Sequence, residues 1–134
     1  MTEENKKANI RDEILRAREA KVSADLLFDN GQIRDAVSRL YYSAFHTVRA
    51  LLLTRALQPR SHEGALNLLS LHFVKPGLFE PGDAHAFSRL QKYRQEADYS
   101  STYIFTATDY LDFRGEAEGL MAKIENHMRA EGYL

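Results

Sequence analysis

Residues 39–53, Arg-Leu-Tyr-Tyr-Ser-Ala-Phe-His-Thr-Val-Arg-Ala-Leu-Leu-Leu, constrain this chain's fold more than any other stretch. At helical spacing the segment is apolar nearly all the way round. A helix of that kind belongs inside a bundle, where every face meets another element. Its polar side chains are few and ordered: Arg39, Tyr42, His46 and Arg49 fall along one stripe, with steps of three, four and three residues. An unpaired buried donor costs about 1–3 kcal/mol. The stripe is therefore either a set of well-paired interhelical contacts or the wall of a site.

The rest of the chain reads as helices separated by turn signals. Proline occurs only at 59, 76 and 81, between periodic segments. A first helix is expected over residues 8–28, with Ile10, Ile14, Ala17, Ala24 and Leu27 on one face and Asn30-Gly31 as a left-handed stop. The apolar helix is expected over residues 32–57, ending before Pro59. Ser61 can cap a third helix that turns Ala65, Leu66, Leu69 and Phe73 inward. Pro81 and Gly82 lead into a fourth, with Phe87, Leu90, Tyr93 and Ala97 as its stripe. Ser100-Ser101-Thr102 breaks the pattern. Thr106 can cap a fifth, along which Tyr110, Phe113, Ala117, Leu120, Ile124 and Met128 line up before Gly132. No stretch alternates with period two for long enough to make a sheet. The expected architecture is all-α, an up-and-down antiparallel bundle of about five helices, with residues 1–134 forming a single domain and the 32–57 helix at its centre.

Composition narrows the function classes. There is no cysteine, which excludes disulfides and thiolate metal sites and fits a reducing compartment. The charged N-terminus lacks the apolar core of a secretory signal, and no stretch reaches the ~18 apolar residues of a membrane span. A soluble cytoplasmic protein is expected. The formal net charge of −1 excludes a basic footprint over the whole chain. Charge is nevertheless uneven: residues 31–62 hold five arginines (34, 39, 49, 55, 60) against Asp35 alone. The five histidines, 46, 62, 72, 85 and 127, include no pair three or four residues apart, so no metal site and no cofactor is expected. There is no Gly-rich phosphate loop and no nucleophile elbow.

Three constellations remain. The first is the Arg39/Tyr42/His46/Arg49 stripe, which would suit phosphate or a nucleotide. The second is Arg94-Gln-Glu-Ala-Asp98-Tyr99, where Arg94 and Asp98 can pair across one helical turn. The third is Arg60-Ser61-His62-Glu63 at a helix start, where outward backbone N–H groups can hold an anion.

Taken in order, Tyr41-Tyr42-Ser43-Ala44-Phe45-His46, Arg49-Ala50-Leu51-Leu52, Arg60-Ser61-His62, Leu71-His72-Phe73-Val74 and Arg94-Gln-Glu-Ala-Asp98-Tyr99 resemble the HEPN family in its small stand-alone prokaryotic branches. The resemblance runs over residues 8–130. It implies a helical bundle that commonly forms a homodimer, and a minimal nucleotidyltransferase as partner in a toxin–antitoxin module. Many HEPN proteins are metal-independent ribonucleases. In these an Arg, followed after four to six residues by a His, promotes attack of a ribose 2′-hydroxyl on the neighbouring phosphate. An imidazole that titrates near neutrality and a forked guanidinium suit that chemistry.

The pattern is incomplete where the resemblance would put it. Counting on from Arg94, positions 99, 100 and 101 are Tyr, Ser and Ser. Arg39/His46 and Arg55/His62 have the right spacing, but twelve arginines, five histidines and three allowed spacings give about 1.3 such matches by chance. By resemblance, Tyr99 is also an acceptor for modification by the nucleotidyltransferase. The expected site therefore comprises Arg94 and His46 as catalytic candidates, with Arg39, Tyr42, His46, Arg49, His62, Asp98 and Tyr99 binding nucleotide or RNA. Three functions follow: a nucleotidyltransferase partner that binds nucleotide or RNA in a basic groove, a ribonuclease toxin, and a non-catalytic helical dimer.

Overall fold

The computed structural model describes residues 2–134. Its elements run α1 (Glu3–Asp29), α2 (Ile33–Leu53), α3 (His62–Leu69), a π-helical turn (Ser70–Val74), α4 (Pro81–Tyr99) and α5 (Ala107–Ala130). Among the described residues there is no strand. No helix is long and apolar enough to cross a membrane.

α2 sits at the centre, packed against α1, α3, α4 and α5. Its buried residues, from Ala36 and Val37 through Leu40, Tyr41, Ala44 and Val48 to the run 50–53, cover every face except one. The exception holds Arg39, Tyr42, Phe45, His46 and Arg49, none of them fully buried. Buried polar groups on the closed faces find partners within the helix or on α5. Thr47 Oγ1 donates to the Ser43 carbonyl at 2.9 Å, Thr54 Oγ1 to the Leu51 carbonyl at 2.6 Å, and Ser43 Oγ to Met121 Sδ at 3.1 Å. The cost of burying them is thereby largely offset.

The inward stripes of α1, α4 and α5 are as the periodicity expects. Ile10, Ile14, Ala17 and Ala24, then Phe87, Leu90 and Ala97, then Tyr110, Phe113, Ala117, Leu120, Ile124 and Met128 are all buried, while Leu27 and Tyr93 are partly buried against the core. Helix ends differ in two places. α1 begins at Glu3 rather than residue 8, because the Thr2 hydroxyl accepts the Asn5 N–H at 3.1 Å and Glu3 and Glu4 favour the positive end of the helix.

α2 stops at Leu53 rather than residue 57. The chain turns there through Ala56 at φ +56°, with the Ala56 N–H donating to the Leu53 carbonyl and the Leu57 N–H to that of Leu52. This is the hydrogen-bond pattern of a glycine-type helix stop. The same pattern closes α1 at Gly31, the π-helical turn at Gly77 and α5 at Gly132. Only at α2 does an alanine occupy the left-handed position. α5 opens with a reciprocal cap between Thr106 and Asp109.

Candidate functional site

The open face of α2 supplies one floor, and two neighbouring helices supply the walls. On the α4 side, Arg94 is the hub. Its Nη1 lies 2.9 Å from Asp98 Oδ2, and its Nε donates to Gln91 Oε1 at 3.0 Å. Its guanidinium stands 5.3 Å from the centre of the Tyr41 ring and 5.6 Å from that of Tyr42. The Arg94–Asp98 pair is the intrahelical pairing expected from the sequence. Partial burial and the two π-faces fix the guanidinium further, since a cation over an aromatic face gains about 0.5–2 kcal/mol.

His62, the first residue of α3, joins this hub. Ser61 caps the helix by accepting the Gly64 N–H at 3.0 Å, which turns His62 toward α2. Its Nδ1 is 2.7 Å from the Tyr41 hydroxyl, and its ring lies 4.5 Å from that of Phe87. Burial, and then the Arg94 cation, lower the His62 pKa to about 4, so the imidazole is neutral at pH 7. Burial also pushes the Tyr41 phenol well above its ordinary value. A phenol that stays protonated can donate to Nδ1, leaving Nε2–H as a donor toward solvent.

On the α1 side the stripe serves a different arrangement. His46 Nδ1 lies 2.7 Å from Glu13 Oε2, and Arg49 Nε lies 3.3 Å from Glu13 Oε1. Glu13 is only 12% exposed, so the carboxylate clasps α1 to α2 through two cation-capable partners. Arg39 stands over Tyr42 at 4.9 Å. Arg39, Tyr42 and His46 line a groove of about 430 Å³ whose other wall is α1, with Arg16 and Glu19. Tyr42 thus joins the two halves, with Arg39 on one side of the molecule's open face and Arg94 on the other.

The expected residues therefore divide. Arg94 contacts both Asp98 and Tyr42, and His62 reaches Arg94 through Tyr41. Arg39 and His46 share the α1 groove with Tyr42. His46 and Arg49 are engaged by Glu13, and among the described residues no hydrogen bond joins His46 to Arg94. Tyr99, at the end of α4, is 78% exposed, yet its phenol lies near enough to Arg94 to help raise the pKa of that guanidinium. Of the five arginines in residues 31–62, Arg34 donates to the carbonyls of Glu96, Ala97, Ser100 and Tyr103 at the end of α4, and Arg55 covers Phe73. The basic character of that stretch is largely spent on structure.

Tyr41, Gln91 and Glu13 were missed as site residues. Tyr41 reads as core. Glu13 looks like an ordinary polar position on a helix face, and only the packing makes it a partner of the stripe, whereas Gln91 stands three residues before Arg94 on the same helix, a spacing at which side chains meet. Among the described residues no group of three or more His, Cys, Asp or Glu side chains is arranged to hold a metal ion.

The model of the HEPN domain matches residues 10–127. A UPF0332 protein of Thermotoga maritima is 34% identical over 82% of this chain and 83% of its own length. A protein of Methanocaldococcus jannaschii whose name marks it as a candidate toxin is 39% identical over 63% of each chain. A UPF0332 protein of Pyrococcus horikoshii is 50% identical over 43% of this chain. The aligned segment spans 41% of that last relative's length.

Proposed function

Because the chain belongs to the HEPN domain family, we propose that it is the HEPN component of a toxin–antitoxin-type module that binds nucleotide or RNA at the open face of α2, with Arg94 as its principal phosphate contact. The observation that carries this reading is the Arg94 hub. A guanidinium is held in fixed orientation by Asp98, Gln91 and two tyrosine rings, beside a neutral imidazole. Such a group meets phosphate oxygens with its fork already oriented. The tyrosine faces offer surfaces on which a base can stack, worth about 1–3 kcal/mol per base. Arg39, Tyr42 and His46 extend the same face toward α1. The name of the Methanocaldococcus relative supports the toxin-module context.

The proposed partner is a nucleotidyltransferase acting in the cytoplasm, with the exposed Tyr99 as the acceptor it would reach. The proposed state is a homodimer, for which the exposed Leu15, Val22 and Leu26 on α1 provide an apolar surface. Binding of labelled RNA and of ATP at two salt concentrations tests the reading. Affinity should fall as salt rises, since each phosphate contact releases counterions. Arg94→Ala should weaken binding about tenfold or more and flatten that dependence. A wild-type protein that binds neither ligand removes the proposal. Co-purification with the product of the neighbouring gene tests the partner.

A second reading, a metal-independent ribonuclease, is favoured by one observation: an imidazole reaches Arg94 from α3 although residues 99–101 offer none. Expression of the protein alone should then arrest growth, and His62→Ala and Arg94→Ala should each restore it. Normal growth at high wild-type expression counts against catalysis while leaving the binding reading intact.

A further inference from the structure

Beside the Arg94 hub, α3 and α4 enclose a groove of about 420 Å³ lined by His62, Leu66, Ser88, Gln91, Lys92 and Gln95 among others. We infer that this groove is a nucleobase subsite, which receives the base of a nucleotide whose phosphate lies on Arg94. The inference rests on the binding reading above and adds to it a basis for sequence preference.

The argument starts from spacing. Ser88, Gln91, Lys92 and Gln95 fall at i, i+3, i+4 and i+7, so they form one ridge along α4. That ridge is polar but mostly uncharged, unlike the salt-bridged exterior of α1 and α5. Its hydrogen-bonding groups are left open. Gln91 Oε1 accepts from Arg94, which leaves its amide N–H groups pointing away from the guanidinium. Among the described residues, the Ser88 hydroxyl, the Gln95 amide and the Lys92 ammonium make no side-chain hydrogen bond. His62 has its Nδ1 taken by Tyr41, so Nε2 is the atom it offers to the groove. Leu66 adds an apolar patch.

A phosphate would not choose this hollow, since Glu63 on its rim offsets Lys92 and the fixed cation lies next door. A flat group carrying donors and acceptors along one edge fits it well. A glutamine amide pairs in two-point fashion with an adjacent acceptor and donor, the arrangement adenine presents at N7 and N6. Gln91 couples the two subsites, because the amide that faces the groove also orients the guanidinium that holds the phosphate. Adenine is the base the groove should favour.

The experiment uses the full chain and three 5′-fluorescein-labelled 12-nucleotide RNAs of equal charge, all-A, all-U and all-C, titrated by fluorescence anisotropy at two salt concentrations. Wild type should bind all-A at least about fivefold tighter than the other two, the lower end of what a two-point amide–base pair discriminates. Gln95→Leu should shrink that preference below about twofold while the salt dependence stays as in wild type. Ser88→Ala, a gentler change on the same ridge, should reduce the preference partly. Both positions are exposed, so circular dichroism should show the fold intact. Equal wild-type affinity for the three RNAs, or a full preference retained in Gln95→Leu, overturns the base subsite and leaves phosphate binding at Arg94 standing. Absence of binding to all three overturns the base subsite, and absence of ATP binding as well overturns the reading on which it rests.

Discussion

His62 is enclosed by Tyr41 and Phe87 and lies under the field of Arg94, and its pKa falls from 6.5 to about 4. A histidine whose folded pKa is depressed binds protons more readily in the unfolded state. Its contribution to stability is therefore complete above pH 6.5 and is lost as pH falls from there toward 4. Allowing for solvent screening, the loss amounts to about 1–2 kcal/mol. Denaturation of wild type and His62→Gln across that window checks it: the variant's stability should depend less on pH, and parallel curves would refute the assignment. Ala56 makes a second residue-level case. It holds φ +56° in a helix stop that the chain elsewhere builds with glycine. A left-handed conformation costs a non-glycine residue about 1–2 kcal/mol, part of which glycine returns as unfolded-state entropy. Ala56→Gly should raise stability by about 0.5–1 kcal/mol in urea denaturation. The sequence signals these residues unequally. His62 is visible as a helix-start residue beside a capping serine, but its depressed pKa depends on Tyr41 and Arg94, which come from other helices. Ala56 gives no signal, because alanine is the last residue a glycine-type stop would suggest.

Single helices show the same division between local and remote information. Five apolar stripes were legible because a 3.6-residue period survives in the side-chain pattern, and the ends marked by Gly31, Gly77, Thr106 and Gly132 were legible because each cap is a local motif. The end of α4 is marked as a break by Ser100 to Thr102, yet what secures it is remote. Arg34, on the first turn of α2, donates to four carbonyls there, including those of Glu96 at 3.1 Å and Ala97 at 2.9 Å. In the sequence Arg34 counts toward a basic patch, whereas in the fold it is a helix cap. A positive group on terminal carbonyls also complements the helix dipole. Hydrogen bonds to a charged donor contribute about 1.5–3 kcal/mol. Arg34→Met should thus destabilise the protein by about 1–3 kcal/mol and accelerate amide exchange across the last turn of α4 and residues 100–103. Unchanged exchange in that segment would show that the cap does not hold it. Because α4 carries Arg94 and Asp98 in its last turns, the same variant should also weaken phosphate binding without touching a ligand.

Across the whole molecule, the open face of α2 is open because the bundle is incomplete beside α1. α1 brings its backbone close to α2 alone, and no backbone packing links it to α4 or α5. What ties it to α5 is one aromatic stack at its C-terminal end, Phe28 on Tyr110 with 4.4 Å between ring centres, and a set of ion pairs over a groove, Lys21–Glu118 at 3.2 Å, Arg114–Asp25 at 3.5 Å and Arg18–Glu125 at 4.0 Å. What ties its other edge is the Glu13 clasp on His46 and Arg49. Exposed ion pairs contribute at most about 0.2–1 kcal/mol each and weaken as the screening length falls from about 10 Å at 0.1 M salt to about 3 Å at 1 M. A carboxylate as enclosed as Glu13 is screened less. It follows that α1 should open at lower free energy than the α2–α4–α5 core, as a separate cooperative unit. Native-state hydrogen exchange should show α1 amides less protected than those of α2 and α5, with the gap widening between 0.1 M and 1 M salt. Glu13→Ala should lower α1 protection by a further 1–3 kcal/mol or about that, the cost of leaving partly buried partners unsatisfied, while core protection stays constant. Exchange of α1 in step with α2 and α5 under all these conditions would mean that its apolar contacts, the α1–α2 seam and the Phe28–Tyr110 stack, set its stability. Since Arg16 and Glu19 of α1 wall the groove in which Arg39, Tyr42 and His46 stand, an α1 that opens separately would also give that half of the face a mobile wall, while the Arg94 half, built on α3 and α4, keeps its geometry.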